Sequence, residues 1–211
     1  MKTIKNIFDK MKIEYSKMDD AHNFTHIENV IENAKILNNL LGNPYSDNII
    51  IISALYHDIG NIVNRKDHHI ESARIVLEDK DLKELFNDDE LYLISKACEE
   101  HRSSYKGEFT STLSKIINDA DSMVYNIEDI IERCYKYTIS KYSTESERSI
   151  YYRVYDHIVD KFGRNGYQKY KLSVTNKIAN VENIYSIIED EYKFKYDYYY
   201  EVVERIKNNK E

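Results

Sequence analysis

Residues 49–60 read IIIISALYHDIG, an apolar run that closes on His57 and Asp58. A helix that is apolar on every side is typical of the interior of a domain. Burying the carboxylate of Asp58 there is costly unless a positive partner offsets its charge. A divalent cation bound by the adjacent imidazole and carboxylate is the simplest such partner. A hydrogen-bonded His–Asp pair in the core is the alternative, and the dipeptide alone does not decide between the two.

The composition of the 211 residues predicts an all-α protein, because glycine (5) and proline (1) are scarce and apolar residues recur at helical spacing. We expect one compact helical bundle, 1–211, with a metal-binding core at about 20–125 and a C-terminal helical extension at 126–211. A chain of this length holds one substantial core or at most two small ones. The expected helices span 3–18, 24–41, 48–59, 68–79, 82–86, 89–104, 112–124, 126–142, 146–162, 167–190 and 191–208.

The net charge and the cysteines limit which binding partners and which cellular compartment are expected. A net charge of −7 argues against an extended nucleic acid as partner and leaves room for a local basic pocket. Cys98 and Cys134 form no CxxC pair, which suits a reducing compartment. The charge-interrupted N-terminus does not resemble a signal peptide, and no stretch approaches the roughly 18 apolar residues of a membrane span. We therefore expect a cytoplasmic protein without a membrane partner, and leave open whether it forms a homodimer.

Four more polar residues lie on helix faces that are otherwise apolar, because each has apolar neighbours three or four positions away; they are His26, His69, His101 and Asp121. A single inward histidine is more often a satisfied core residue, whereas an inward aspartate needs a strong partner. Four such residues beside the His–Asp pair favour convergence on metal. The ligand set His26, His57, Asp58 and Asp121 suits Mn²⁺, Fe²⁺, Co²⁺, Ni²⁺ or Zn²⁺, with Mg²⁺ left open, and His69 with His101 could hold a second ion.

Neighbouring residues compete for three of these positions. His22 lies one turn before His26 and outside the apolar stripe, so we prefer His26 as ligand and expect His22 at the mouth of the pocket. Asp119 lies about 200° from Asp121 around the helix, so we expect it to face solvent or a residue that supports the ligands. His68 shares its face with a weaker core stripe than His69. His157 is expected to be a packing or surface residue.

Three motifs, in this order, resemble those of the HD-domain superfamily of metal-dependent phosphohydrolases. That family has a histidine on an early helix, a His–Asp doublet that ends a buried helix, and a later aspartate in an Ala–Asp pair. Here the motifs read AHNFTHIENV at 21–30, ALYHDIG at 54–60 and INDADSM at 117–123. His69 in HIESA and His101 in EHR resemble the extra histidines of subfamilies with two metals. The resemblance covers residues from about 20 to about 125.

The resemblance implies a helical bundle with metal near its centre, which hydrolyses a phosphate ester or anhydride, commonly in a nucleotide. By carry-over of the matching motif positions, the ligands of the first metal are His26, His57, Asp58 and Asp121. The same carry-over makes His69 and His101 ligands of a second metal or contacts of the phosphate.

Catalysis also needs a proton acceptor and groups that bind the substrate. Asp58, Glu71 and Asp119 are the candidate acceptors. Arg102, directly after His101, is the best candidate for a phosphate contact, with Lys106 and His22 as further candidates; the alternative is that the cations are solvated surface charges. Two other hypotheses use the same ligands: a di-iron enzyme that activates O₂, and a non-catalytic domain that senses nucleotides.

Overall fold

The computed structural model describes residues 3–17 and 24–208. It is 73% helical and has no strand within these residues, which confirms the prediction of an all-α protein. In the same residues, no helix combines the length and the apolar character needed to cross a membrane.

The helices follow one another closely along the chain. Up to residue 123 they are α1 (Ile4–Tyr15), α2 (Phe24–Leu40), α3 (Asp47–Tyr56), α4 (His68–Glu78), α5 (Lys80–Lys83), α6 (Asp88–Glu99) and α7 (Thr112–Ser122), with a 3-10 turn at Ile59–Ile62. After it come α8 (Ile127–Tyr142), α9 (Glu147–Phe162), α10 (Ser173–Ile178), α11 (Val181–Glu189), α12 (Glu191–Lys193), a π-helical turn at Phe194–Tyr199 and α13 (Tyr200–Asn208).

The described residues form two compact units. The first contains the residues up to Met123 together with Tyr170–Thr175, and the second contains Val124–Lys169 and the residues from Asn176 onward. The first unit ends along the chain close to the expected limit of the metal-binding core at about residue 125. That the whole chain acts as a single domain stays a prediction.

Helix α3 is the central helix of the first unit. Its N-terminus is capped by Ser46, whose hydroxyl accepts a hydrogen bond from the backbone N–H of Ile49 (3.4 Å). Every side chain from Ile52 to Tyr56 is buried, with α2 and α6 packed against the helix. The hydroxyl of Tyr15 on α1 donates to the carbonyl of Leu55 (2.9 Å). The apolar run 49–56 is therefore enclosed, as its sequence predicts.

The chain leaves α3 at the His–Asp doublet. The helix ends at Tyr56, His57 is its C-cap, and Asp58 has φ −110° and ψ 1°. The expected helix 48–59 is therefore shorter at its C-terminal end. Because the helix ends here, the backbone turns at Asp58, and the consecutive side chains of His57 and Asp58 can both face neighbouring helices.

Gly60 permits a close approach of α4 to this turn. A Cβ on Gly60 would overlap the carbonyl oxygen of His68 and lie 2.6 Å from the backbone nitrogen of Ser72. The N–H of Gly60 donates to the hydroxyl of Ser72 (2.8 Å). Since only glycine fits here, the first turn of α4 lies directly against the residues that follow Asp58.

Two further predicted helices differ from the expected ones. Helix α6 ends at Glu99, and residues 100–111 continue as a loop instead of extending the helix to 104. The expected helix 167–190 is divided into α10 and α11, because Asn180 between them adopts the left-handed conformation (φ 47°) that asparagine tolerates better than most residues.

The second unit has its own apolar core, which is rich in isoleucine and tyrosine. The largest fully buried side chain there is Phe194, and its ring lies 5.0 Å from that of Tyr155 and 6.5 Å from that of Tyr151. Tyr199 contacts Tyr151 edge-on (5.0 Å between ring centroids). Packing therefore accounts for part of the abundance of tyrosine in this region.

Candidate metal centre

Histidine and aspartate side chains from five parts of the first unit meet in one place. They come from α2, from the end of α3, from the start of α4, from the residue that follows Glu100, and from α7. We call them the His–Asp cluster: His26, His57, Asp58, His68, His101 and Asp121.

One side of the cluster is formed by His26, His57 and Asp121. The Oδ1 atom of Asp121 lies 3.1 Å from Nε2 of His26 and 3.7 Å from Nε2 of His57. One ligand atom from each of the three residues lies within 4.8 Å of the others. The amide of Asn33 on α2 donates to the carbonyl of Ala120 (3.1 Å), which ties the two helices together beside this contact.

The other side of the cluster is formed by His57, Asp58 and His101. Asp58 places Oδ2 3.5 Å from Nε2 of His57 and Oδ1 3.4 Å from Nε2 of His101. These three residues also offer ligand atoms within 4.8 Å of one another. The two groups share His57, so the cluster has room for either one ion or two neighbouring ions.

The structure brings His68, and not His69, into the cluster. Nε2 of His68 lies 3.2 Å from Oδ1 of Asp58 and 3.1 Å from Nε2 of His101. His68 is the first residue of α4, and Ser72, four positions on, is fully buried against Gly60. The close approach of α4 thus turns the face of His68 and Ser72 inward. This approach, which the stripe of apolar residues does not reveal, favours His68 over His69 in the cluster, and a metal role for His69 stays a prediction.

Three of the histidine rings are oriented by backbone carbonyls. Nδ1 of His57 lies 2.7 Å from the carbonyl of Ala54, and Nδ1 of His101 lies 2.6 Å from that of Cys98. His68 has the same relation to Arg65 (2.9 Å). Because a carbonyl only accepts, each Nδ1 carries the proton and donates it. Each Nε2 then points into the cluster, where it can bind a metal ion whenever it carries no proton.

The residues present fit a divalent cation. Nε2 of His57 is fully buried and has no hydrogen-bond partner in the part of the chain that the structure describes. It faces the carboxylates of Asp58 and Asp121 at 3.5 and 3.7 Å. A cation among these atoms would satisfy the nitrogen and offset the buried charge of Asp58 and the partly buried charge of Asp121, and imidazole with carboxylate is a donor set that Zn²⁺ and other first-row metals accept.

The electrostatics of the cluster favour a cation. Burial alone would raise the pKa of Asp58, yet His57 and His101 hold it well below its usual range. Burial opposes ionisation of Asp121 as well, and His26 with His57 likewise keeps its pKa low. Both carboxylates are therefore ionised at neutral pH.

The histidines differ in their protonation. Burial lowers the pKa of His57, but Asp58 and Asp121 outweigh it and raise the value to about 9. Burial and the neighbouring His101 lower the pKa of His68 to about 4. A proton and a metal ion would therefore compete for Nε2 of His57.

Asp119 is buried and turned away from these contacts. Its carboxylate accepts hydrogen bonds from the backbone N–H groups of Lys171 (2.7 Å) and Leu172 (2.9 Å) and from the hydroxyl of Thr175 (2.7 Å). The side chain is 0% exposed, so of the two expected positions the one facing solvent is excluded. Burial, although opposed by these hydrogen bonds, raises the pKa of Asp119. Its oxygens anchor residues 171–175.

The remaining candidates lie around the cluster or apart from it. Arg102 is half-buried and donates from Nη1 to the carbonyl of Lys66 (3.3 Å). Glu71 is paired with Arg74 on the same helix (2.9 Å). Lys106 is exposed in the loop after α6. His22 lies outside the described residues.

His69 and His157 are also placed. His69 is partly buried, and burial together with the nearby guanidinium of Arg102 holds its pKa below the usual value. His157 is an exposed residue of the second unit, in agreement with its expected surface position.

Asn118 is a site residue that the sequence analysis missed. Its amide nitrogen donates to three consecutive carbonyls, those of Glu100 (3.1 Å), His101 (2.9 Å) and Arg102 (2.9 Å). Asn118 precedes Asp121 by three positions, so the two share a face of α7. A buried amide on the face of a candidate ligand was the signal that could have identified it.

The comparisons with known proteins agree with this location of the site. A model of the HD domain family matches residues 23–126, a stretch that contains every residue of the His–Asp cluster. No curated protein and no solved structure matches the chain.

Proposed function

Because residues 23–126 make this chain a member of the HD-domain superfamily of metal-dependent phosphohydrolases, we propose that it hydrolyses a phosphate ester or anhydride of a nucleotide or a related small molecule. The observation that carries the proposal is the pair of three-residue ligand groups that share His57. The proposed partner is a small phosphorylated substrate.

The proposed ligands divide between two positions. His26, His57 and Asp121 would hold one divalent ion, with Asp58 beside them. His57, Asp58, His68 and His101 would hold the second. Such an ion, when bound, activates water and polarises a phosphoryl oxygen. Mn²⁺, Fe²⁺, Co²⁺, Ni²⁺ and Zn²⁺ all suit these donors, and Mg²⁺ is tested beside them.

The substrate is proposed to approach from the side on which the cluster is exposed. The side chains of Asp121, His68 and His26 are 21%, 14% and 12% exposed, whereas that of His57 is 0% exposed. A phosphate group can therefore reach the cluster between α2, α4 and α7. His57 lies on the closed side and would serve as a ligand alone.

Arg102 is the proposed contact for a phosphate oxygen. It follows His101 directly, and its guanidinium is held in place by the carbonyl of Lys66. The planar guanidinium suits phosphate geometry. His69 is partly buried, and we propose that it faces the substrate and does not bind metal. Lys106 is exposed and would at most add to the local positive potential.

Asp58 is the carboxylate that we propose to orient the attacking water. Of the three carboxylates predicted from the sequence, Asp58 lies in the cluster, with Oδ1 3.2 Å from Nε2 of His68. Asp119 has its oxygens engaged by residues 171–175, and Glu71 is paired with Arg74. At Oδ1, next to the neutral imidazole of His68, Asp58 would accept a hydrogen bond from the attacking water and orient it, because its lowered pKa keeps the carboxylate ionised.

The test combines metal analysis with turnover. We expect the purified protein to contain transition metal and to release phosphate from at least one member of a nucleotide panel supplied with Mn²⁺. His57→Ala and the isosteric Asp58→Asn should lose bound metal and turnover together. His157→Ala, which removes an exposed histidine of the second unit, is the matched control. A folded, metal-free Asp58→Asn protein with full activity would overturn the proposal.

Oxygen chemistry is the second candidate function, because four imidazoles and two carboxylates also form a donor set that two irons accept. Iron content with O₂ consumption would favour this candidate. Phosphate release that proceeds equally under nitrogen would exclude it. A nucleotide that binds tightly and is recovered unhydrolysed would instead indicate a non-catalytic sensing domain.

A further inference from the structure

We propose that Asn118 is a positioning residue that fixes His101, and with it the second metal position of the His–Asp cluster. This inference rests on the proposed function, because it assumes that the cluster binds metal. Asn118 acts through the backbone of residues 100–102.

The need for such a residue follows from the end of α6. That helix stops at Glu99, and the carbonyls near a helix C-terminus lack partners within the helix. The amide of Asn118, on α7, donates to the carbonyls of residues 100, 101 and 102 at 3.1, 2.9 and 2.9 Å. An amide group has two N–H bonds, so three carbonyls must converge on it. The path of the backbone at His101 is thereby fixed.

His101 is held at two points. Asn118 binds its carbonyl, and the carbonyl of Cys98 accepts from Nδ1 of its ring (2.6 Å). The remaining ring atom, Nε2, lies 3.4 Å from Oδ1 of Asp58 and 3.1 Å from Nε2 of His68. If the backbone moves, Nε2 leaves both neighbours. His101 belongs to the group with His57 and Asp58, so the effect falls on the second metal position.

The orientation of the amide is determined by these contacts. Asn118 is 0% exposed, and its Oδ1 is buried without a hydrogen-bond partner among the residues that the structure describes. An unsatisfied buried oxygen destabilises the fold. The amide keeps this orientation because the hydrogen bonds that its NH₂ group donates to the carbonyls outweigh that cost. Asn118→Asp would place a carboxylate oxygen against carbonyl oxygens, and Asn118→Leu keeps a similar volume without donors.

A matched control is available in the same unit. Asn38 is also buried (1% exposed), and its amide donates to the carbonyl of Tyr45 (2.9 Å). Asn38→Leu therefore removes the same kind of hydrogen bond, together with the one that Oδ1 of Asn38 accepts from the backbone N–H of Tyr45 (3.3 Å), at a place that contacts no member of the cluster in the described contacts. A general loss of stability should appear in both variants, whereas a loss of metal should appear in one.

The experiment titrates metal-free full-length protein with Co²⁺ and follows calorimetric stoichiometry together with the visible absorption of the bound ion. We expect two sites in the wild type and in Asn38→Leu. In Asn118→Leu we expect the first site to persist and the affinity of the second to fall at least about tenfold, the effect typical of residues that orient ligands. Asn118→Ser, which is smaller and keeps one donor, should fall between, and it replaces Asn118→Leu if that protein does not fold.

The outcomes separate this inference from the proposed function. A wild type that binds no Co²⁺ overturns the proposed function and the role of Asn118 with it. A wild type that binds Co²⁺, with Asn118→Leu or Asn118→Ser showing the same stoichiometry, affinities and spectrum, overturns the role of Asn118 alone. Equal loss of the second site in Asn38→Leu would show that the effect is one of general stability, and would likewise overturn it.

Discussion

Nε2 of His68 lies 3.2 Å from Oδ1 of Asp58, across the gap between the start of α4 and the end of α3. Two adjacent histidines begin α4, and this contact decides which of them belongs to the cluster. It also links the first residue of α4 to the His57–Asp58 doublet at the end of α3.

The pair His68 and His69 gives the first prediction. We expect His68→Ala to lose about 10- to 100-fold or more in affinity for the second metal, since it removes a nitrogen that faces Asp58 and His101. His69→Ala, one residue away, should keep both metals and raise the KM for substrate. Metal stoichiometry and steady-state kinetics check this. Loss of metal in His69→Ala with retention in His68→Ala would reverse the assignment.

Gly60 gives the second prediction. Gly60→Ala introduces a Cβ where the carbonyl of His68 and the nitrogen of Ser72 already lie, so α4 must move. We expect a loss of about 1–3 kcal/mol in the free energy of unfolding, together with a lower affinity for the second metal. Ser72→Ala is a milder variant, because it only removes the acceptor of the Gly60 N–H. Denaturant unfolding with metal analysis measures both effects; a Gly60→Ala protein with unchanged metal affinity would contradict the role of this contact.

Arg102 gives the third prediction. Arg102→Ala should raise the KM for a phosphorylated substrate and leave the metal content unchanged, because the guanidinium is proposed to contact phosphate and not the ion. We expect Arg102→Lys to recover little, since lysine lacks the planar pair of donors. Lys106→Ala, in the exposed part of the same loop, is the control and should change KM little. A pure decrease in kcat for Arg102→Ala would place the residue elsewhere in the reaction.

The protonation of His57 gives a prediction about pH. Asp58 and Asp121, against the effect of burial, raise its pKa from 6.5 to about 9. The stability that the charged imidazole contributes to the metal-free protein is complete below pH 6.5 and is lost as pH rises through about 9. Over the same interval metal should bind more tightly, by about tenfold per pH unit for one displaced proton. Thermal melts of metal-free protein and competition with a chelator measure the two trends; a metal-free Tm that rises from pH 6.5 to 9 would contradict the assignment.

Asp119 gives the fifth prediction. In Asp119→Asn an amide NH₂ replaces one oxygen that accepts from residues 171–175, and we expect a loss of about 1–3 kcal/mol in stability. Thr175→Val removes one of the three hydrogen bonds and should cost less. Both variants should keep their metal stoichiometry. Loss of turnover without loss of stability in Asp119→Asn would restore Asp119 as a proton acceptor.

The sequence predicted the parts of the site that depend on local pattern. The apolar run before His57 predicted its burial, and the stripes of α2 and α7 predicted that His26 and Asp121 point inward. These features follow from helical periodicity within one element. Local sequence pattern therefore indicates four of the proposed ligands without knowledge of any tertiary contact.

The features that escaped prediction depend on contacts between distant elements. The choice between His68 and His69 is made at the first turn of α4 by the approach of Gly60, which periodicity does not encode. The partners of Asp119 lie 52 to 56 positions later in the chain. The early end of α6 is stabilised by Asn118, so a loop replaces the helix that the pattern of residues 89–104 favours.

The anchoring of residues 171–175 by Asp119 bears on where a functional fragment of this protein can be cut. A fragment that stops at residue 126, where the family match ends, keeps every proposed ligand and loses the donors that satisfy a fully buried carboxylate. An unpaired charge of this kind is strongly destabilising, because burial without hydrogen bonds leaves it uncompensated. The smallest fragment that folds on its own and keeps the proposed ligands should therefore extend at least to Thr175, beyond the boundary that the motifs alone define.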